Sequence, residues 1–283
     1  METRFTALVG CRLPFQLAAL GGVGTTELAA AVTAAGGLGM VPYGVAAPHV
    51  TLGMTGVGFL MPYLPDRDAV AQAADGVRVV EFFEGDPDSG LVELGHQAGA
   101  LVSWQVGSVE EAREAEAAGC DLVVVQGVEA GGHVRGRTPL DQLLAHTLST
   151  VAIPVVAAGG IGSAERVAEL LAHGADAVRV GTRFLACPEC NTHPAYVQAL
   201  LAADGDDTVL TEAFDDDGHW PATVRVLGES LVAAGSAGNH STMPPTPGAA
   251  QPLAMPCYAG ISVSSLTAIE PAVDVLAELL ALV

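Results

Sequence analysis

Val155-Val156-Ala157-Ala158-Gly159-Gly160-Ile161-Gly162 joins a short apolar run directly to a glycine turn, and Ser163 opens a helical pattern immediately behind it. The same cadence returns in Ala177-Val178-Arg179-Val180-Gly181-Thr182-Arg183. Short, nearly continuous β-branched runs bounded by glycine are the mark of parallel strands buried on both faces. Working outward, runs of this kind predict strands at 16–20, 38–41, 56–61, 77–82, 100–105 and 121–126, which join 154–158 and 177–181 to make eight.

Helix signals fill the gaps. Ser108 and Glu111 predict a capping box ahead of an Ala/Glu-rich helix that Gly119 stops, and Ser163 predicts a cap for a helix running to His173 with Gly174 past its end. Gly37 and Gly76 close two others, whereas Pro48 and the glycines of 43–54 make a poor helix. Eight strands alternating with helices predict an α/β fold closed as a (β/α)₈ TIM barrel over residues 1–205. The pattern then changes: Asp215-Asp216-Asp217, Trp220-Pro221 and a Pro/Gly-rich stretch at 243–252 precede a final apolar helix at about 265–283. Residues 206–283 are expected to be a C-terminal extension folding back on the same domain.

Composition excludes several functions. The chain has 283 residues, enough for one barrel, and its aromatic share of only 5% leaves a core of Ala, Val and Leu suited to close helix–sheet packing. All 11 basic residues are arginine, so a Schiff-base lysine nucleophile is absent. A formal net charge of −21 argues against nucleic acid and against anionic membrane surfaces as partners. The 5 cysteines are odd in number and scattered, which is not a disulfide framework. Cys187-Pro188-Glu189-Cys190 lacks a second pair and is read as incidental, so no metal site is expected. No compact apolar leader or uninterrupted spanning stretch is visible, and a cytoplasmic location is expected. A homo-oligomer is compatible with the sequence, which leaves oligomeric state open.

In such barrels the chemistry sits where the strands end. Glycine turns after the two last strands, Ala158-Gly159-Gly160 and Gly181-Thr182, predict a phosphate cradle, because glycines let backbone N–H groups approach anionic oxygens. The loop after the sixth strand, Gln126-Gly127-Val128-Glu129-Ala130-Gly131-Gly132-His133, offers glycines against which a flat ring could lie. It also holds an amide able to hydrogen-bond a heterocycle edge, and an imidazole able to exchange protons near neutrality. The other histidines lack comparable settings.

Residues 126–133 and 154–184, with Pro14–Gly39 and Tyr258-Ala259-Gly260, resemble the nitronate monooxygenase family, formerly called 2-nitropropane dioxygenases. That resemblance implies an FMN-binding barrel in which Leu20, Gln126, Gly131, Gly132, Ala158, Gly159, Gly160, Gly181 and Thr182 hold the flavin and His133 is the catalytic base. The implied partners are an alkyl nitronate or nitroalkane and O₂, giving a carbonyl product and nitrite. The chain departs from the family at Ala19-Leu20, where a Pro-Met pair is frequent, at Gly58, where Asn is, and at Arg179, where Gln is. Arg135, Arg137 and Arg183 are candidates for stabilising an anionic substrate, against a simpler role as salt-bridging rim residues. Two alternatives remain: a flavin-dependent enoyl-acyl-carrier-protein reductase using a nicotinamide cofactor, and an FMN-binding barrel without turnover.

Overall fold

A computed structural model of the chain describes residues 1–44, 54–214, 222–239 and 241–283. Its parallel strands begin with β1 (Phe15–Leu17), β2 (Gly39–Pro42), β3 (Thr55–Leu60), β4 (Val79–Phe83), β5 (Leu101–Val106) and β6 (Leu122–Gln126). A two-residue strand, β7 (Gly132–His133), lies outside this series, which resumes with β8 (Val155–Ala158) and β9 (Ala177–Val180). The sheet runs β1-β9-β8-β6-β5-β4-β3-β2, and a parallel bridge between Gln16 and Leu38 joins its two edges. Leu17 N–H donates to the Leu38 carbonyl at 2.9 Å and Leu38 N–H to the Phe15 carbonyl at 2.8 Å, so the sheet closes as a TIM barrel. All eight expected strands are present within a few residues of their expected limits.

Outside the sheet lie α2 (Thr26–Ala35), α3 (Arg67–Ala74), α4 (Ser89–Gln97), α5 (Val109–Ala117), α6 (Leu140–Leu148) and α7 (Ala164–Ala172), preceded in the chain by α1 (Arg4–Val9). Side chains of Thr25, Asp66, Asp88, Ser108 and Ser163 accept first-turn N–H groups, as their positions ahead of apolar-periodic segments require. The box at Ser108 is only half formed. Glu111 reaches one residue further back, accepting from Gly107 N–H at 2.8 Å. The expected helix at 43–54 and the segments 215–217 and 220–221 fall, apart from residues 43, 44 and 54, outside the described residues.

Two features escaped the sequence pattern. Helix α1 stoppers the N-terminal end of the barrel, where buried Phe5 and Val9 join Leu38, Val79, Leu122 and Ala177 in one apolar cluster. Its position is set by Arg4 Nε on Asp176 at 2.9 Å and Arg78 Nε on the Val9 carbonyl at 2.7 Å. The expected terminal helix at 265–283 is shorter: a 3₁₀ turn (Ile261–Ser265) comes first, and Pro271 precedes the last helix, which covers Ala272–Leu279. After β9 the chain first forms α8 (Pro194–Ala202), β10 (Thr208–Thr211), β11 (Val224–Leu227) and α9 (Gly228–Ala237), which makes the last helix α10. Helix α10 packs against α2 and α7, and its Ala272, Val275, Leu276 and Leu279 belong to the main core, so the chain's final helix takes the eighth outer position of the barrel.

Phe5→Ala removes a fully buried ring from the stopper and is expected to cost about 3–5 kcal/mol of unfolding free energy. Chemical denaturation of the two proteins measures it; a loss below about 1 kcal/mol would mean that the stopper does not fold with the barrel.

Candidate active site

Gln126 ends β6 and grips the loop that follows it. Its Nε2 donates to the His133 carbonyl at 2.8 Å and its Oε1 accepts from Arg135 N–H at 3.2 Å. Both ends of the amide thus also hold the protein's own loop. Val128 N–H donating to the Thr138 carbonyl at 3.0 Å closes the base of the same loop. At its apex β7 pairs antiparallel with β11, matching His133 with Val224, and β11 pairs with β10, so His133 is carried by a small three-stranded sheet beside the barrel mouth. Arg225 on β11 secures the loop from behind, donating through Nη2 to the Val128 carbonyl at 2.9 Å.

The imidazole of His133 lies 5.7 Å, ring centre to ring centre, from Tyr258, whose hydroxyl donates to the Thr242 carbonyl at 2.6 Å. Desolvation disfavours the imidazolium and brings His133 down to about 4. At neutral pH the ring is therefore wholly in the form that can accept a proton, with some basicity given up in exchange.

The glycine turns meet the C-terminal segment. Gly159 and Gly160 have φ of 108° and 67°, in the left-handed region, and a Cβ on Gly160 would lie 2.9 Å from Glu129 Cβ and 3.4 Å from Ile261 Cδ1. A Cβ on Gly131 would collide with the amide nitrogen of Gly260. Gly260 N–H donates to Thr182 Oγ1 at 3.1 Å, and Ile261 N–H to the Glu129 carbonyl at 3.1 Å. Leu20 approaches Gly181 closely enough that its Cδ2 would be 3.4 Å from a Cβ there. Ala158 is buried at the end of β8, and its carbonyl accepts from Gly127 N–H at 2.9 Å. The loops after β1, β6, β8 and β9 thus converge. Among the described residues, no backbone acceptor takes up the N–H groups of Gly160, Gly181 or Thr182. Glycine-lined, with amide donors to spare, this cradle fits a phosphate group. Gly260 and Ile261 complete it from far along the chain; the resemblance includes Gly260, but no local spacing ties either residue to these loops.

Two of the candidate arginines are already committed. Arg135 pairs with Glu111 and Asp86, and Arg183 with Glu278 and the Ser265 carbonyl. Arg137 is exposed. Arg179, at one of the family departures, points its charge into a buried pair with Glu81, whose other oxygen accepts from Gln16 Nε2 at 2.9 Å. Among the described residues no group of histidines, cysteines and carboxylates is arranged to hold a metal ion, and no helix is long and apolar enough to cross a membrane. Cys187 and Cys190 are free thiols, both pushed up by burial.

Residues 64–279 match the sequence profile of nitronate monooxygenase. The chain belongs to the nitronate monooxygenase family. A hydroxy-methyl-oxo-octahydroindene-carboxyl-CoA dehydrogenase of Mycobacterium tuberculosis is 32% identical over 256 residues, covering 85% of this chain and 70% of that protein. FabK from Thermotoga maritima superposes with a TM-score of 0.82 at 28% identity, over 99% of this chain and 96% of its own. Nitroalkane oxidase from Streptomyces ansochromogenes gives 0.79 at 30% identity, over 99% and 97%. The protein is accordingly a flavin-dependent oxidoreductase on a TIM barrel, and family membership leaves the barrel without turnover no support.

With the His133 proton lost at about 4 in the folded chain and at about 6.5 in the unfolded one, the fold gains stability from this group above pH 6.5 and loses it as pH falls toward 4. Imidazole NMR should show His133 titrating near pH 4. In parallel, unfolding free energy should fall more steeply over that window for the wild type than for His133→Gln. A His133 midpoint at or above 6 contradicts the desolvated setting.

Proposed function

We propose that the protein oxidises alkyl nitronates, and nitroalkanes through them, with molecular oxygen, giving a carbonyl product and nitrite. FMN is the flavin proposed, its phosphate on the N–H groups of Gly159, Gly160, Gly181 and Thr182 and its ring near Leu20, Ala158, Gly131 and Gly132. When bound, FMN supplies the two-electron oxidation and the reaction with O₂. The observation that carries the proposal is a neutral, desolvated His133 held at the barrel mouth beside a glycine cradle with unused amide donors.

His133 takes the acidic α-proton of a neutral nitroalkane on an imidazole nitrogen, and the Gln126 hydrogen bonds keep the ring's backbone in place as charge develops. A pre-formed nitronate has already lost that proton and asks nothing of the base. Tyr258 closes one side of the ring and helps exclude water, which keeps the imidazole unprotonated until substrate arrives.

The likeness to FabK supports a second reading, reduction of an enoyl thioester on an acyl carrier protein with a nicotinamide cofactor. A lysine-free chain of net charge −21 is a poor docking face for an acidic carrier, which places this reading second.

Purified protein should be yellow and release FMN on heating; release of FAD, or failure to take up FMN, would overturn the cradle assignment. His133→Asn is expected to lower turnover of neutral nitroalkanes by roughly 10²–10⁴-fold, the usual worth of a positioned base, with far smaller loss on pre-formed nitronates. Steady-state oxygen consumption on both substrates decides it: equal losses make His133 a shaping residue, and bleaching by NADH without turnover of either substrate promotes the reductase.

A further inference from the structure

Arg135 follows His133 by two residues and gathers three carboxylates. Its Nε donates to Glu111 Oε1 at 2.8 Å, its Nη2 donates to Asp86 Oδ1 at 2.9 Å, and its Nη1 lies 3.9 Å from Glu84 Oε2. Glu111 belongs to the first turn of α5, whereas Glu84 and Asp86 follow β4. The neighbouring Gly136 lies backbone to backbone on Gly107 at the end of β5, so closely that a Cβ on either would collide with the other. The loops after β4, β5 and β6 are thus drawn together around one guanidinium. Gln126 holds the backbone of the same two residues, His133 and Arg135.

Glu84 is the unusual member. It is the one described non-glycine residue with a positive φ, 60°, and its carboxylate is nonetheless buried. Strain of that kind persists where surrounding contacts impose it. Here it keeps an acid inside the protein facing Arg135, while Asp86 of the same loop stands in solvent.

We infer that the Glu84–Arg135 pair is a positioning clamp for His133, fixing the β7 register in which the imidazole meets its substrate; this rests on His133 being the base. The charged groups acting on Glu84 are Arg135 from the loop after β6 and Glu111 from α5. Burial and the negative charge of Glu111 raise Glu84 to about 7 against the pull of Arg135. Above that pH the carboxylate is charged and the clamp is complete; below it one of Arg135's three anionic partners is lost. The clamp therefore predicts a rise in activity near neutrality that follows Glu84, since His133 changes charge only near 4.

The test uses the flavin-loaded protein with nitroethane and with ethyl nitronate across pH 5–9, in the wild type, Glu84→Gln, Arg135→Gln, Arg135→Lys and His133→Asn. Far-UV circular dichroism and flavin content confirm folding in each. Nitroethane turnover by the wild type should rise through about pH 7, and Glu84→Gln, nearly isosteric, should abolish that rise and stay on the low-pH plateau. Arg135→Gln should lower kcat on nitroethane roughly 10–10²-fold, as a displaced catalytic group does, with ethyl nitronate affected less than about threefold and Arg135→Lys partly restoring the rate. A rise that persists unchanged in Glu84→Gln, or equal losses on both substrates in Arg135→Gln, overturns the clamp even if His133→Asn behaves as a base variant. If His133→Asn spares nitroethane, the base assignment falls instead. Should Arg135→Gln fail to fold, the Glu84→Gln profile alone decides.

Discussion

Two backbone hydrogen bonds between β1 and the residue leading into β2, Leu17 to Leu38 and Leu38 to Phe15, turn an open parallel sheet into a closed one. Everything at the mouth depends on that closure. Parallel strands in a ring send all their C-terminal loops to one end, so loops scattered from residue 20 to residue 182 become neighbours. The opposite end is sealed by α1, whose Phe5 and Val9 fill the space beneath the lowest interior side chains. A barrel stoppered at one end leaves a single polar rim on which chemistry can be built.

Charge is used sparingly on that rim. The chain is strongly acidic, and its arginines are spent on structure: Arg4 and Arg78 fasten α1, Arg183 ties the turn after β9 to α10, and Arg225 braces the loop behind His133. Inside the barrel, Arg179 and Glu81 neutralise each other, with Gln16 as a further donor to the carboxylate. Such a buried pair contributes little net stability, since desolvation offsets its attraction, but removal of either partner alone would strand a charge in the core. The loops after β8 and β9, by contrast, carry amide N–H groups that no backbone acceptor among the described residues takes up.

His133 illustrates how setting overrides residue type. An exposed histidine titrates near 6.5, which is what a loop position in the sequence suggests. In the folded protein the small β7-β11-β10 sheet and the Tyr258 ring pack around it, and desolvation lowers its imidazole to about 4. Conversely Glu84, an ordinary carboxylic acid in the sequence, is raised to about 7 because its backbone turns it inward and burial disfavours its charge. Burial has moved both groups toward their neutral forms, the base downward and the acid upward.

By itself the sequence determined the strands, most helix caps and the two glycine turns, because these follow from periodicity and local hydrogen bonding within a few residues. It also marked His133 and the family, through Glu129-Ala130-Gly131-Gly132-His133 and Gly181-Thr182. Only the tertiary structure decided that α10 fills the eighth outer position, that Gly260 and Ile261 complete the cradle, and that Gln126 holds its own loop. It likewise showed which three carboxylates Arg135 joins, where the sequence had favoured a salt-bridging rim role without naming the partners. Those pairings join residues tens to more than a hundred positions apart, and α1 is too short for helical periodicity to announce it. No local pattern encodes such contacts; they exist because closing the barrel brings the ends of distant strands within hydrogen-bonding reach.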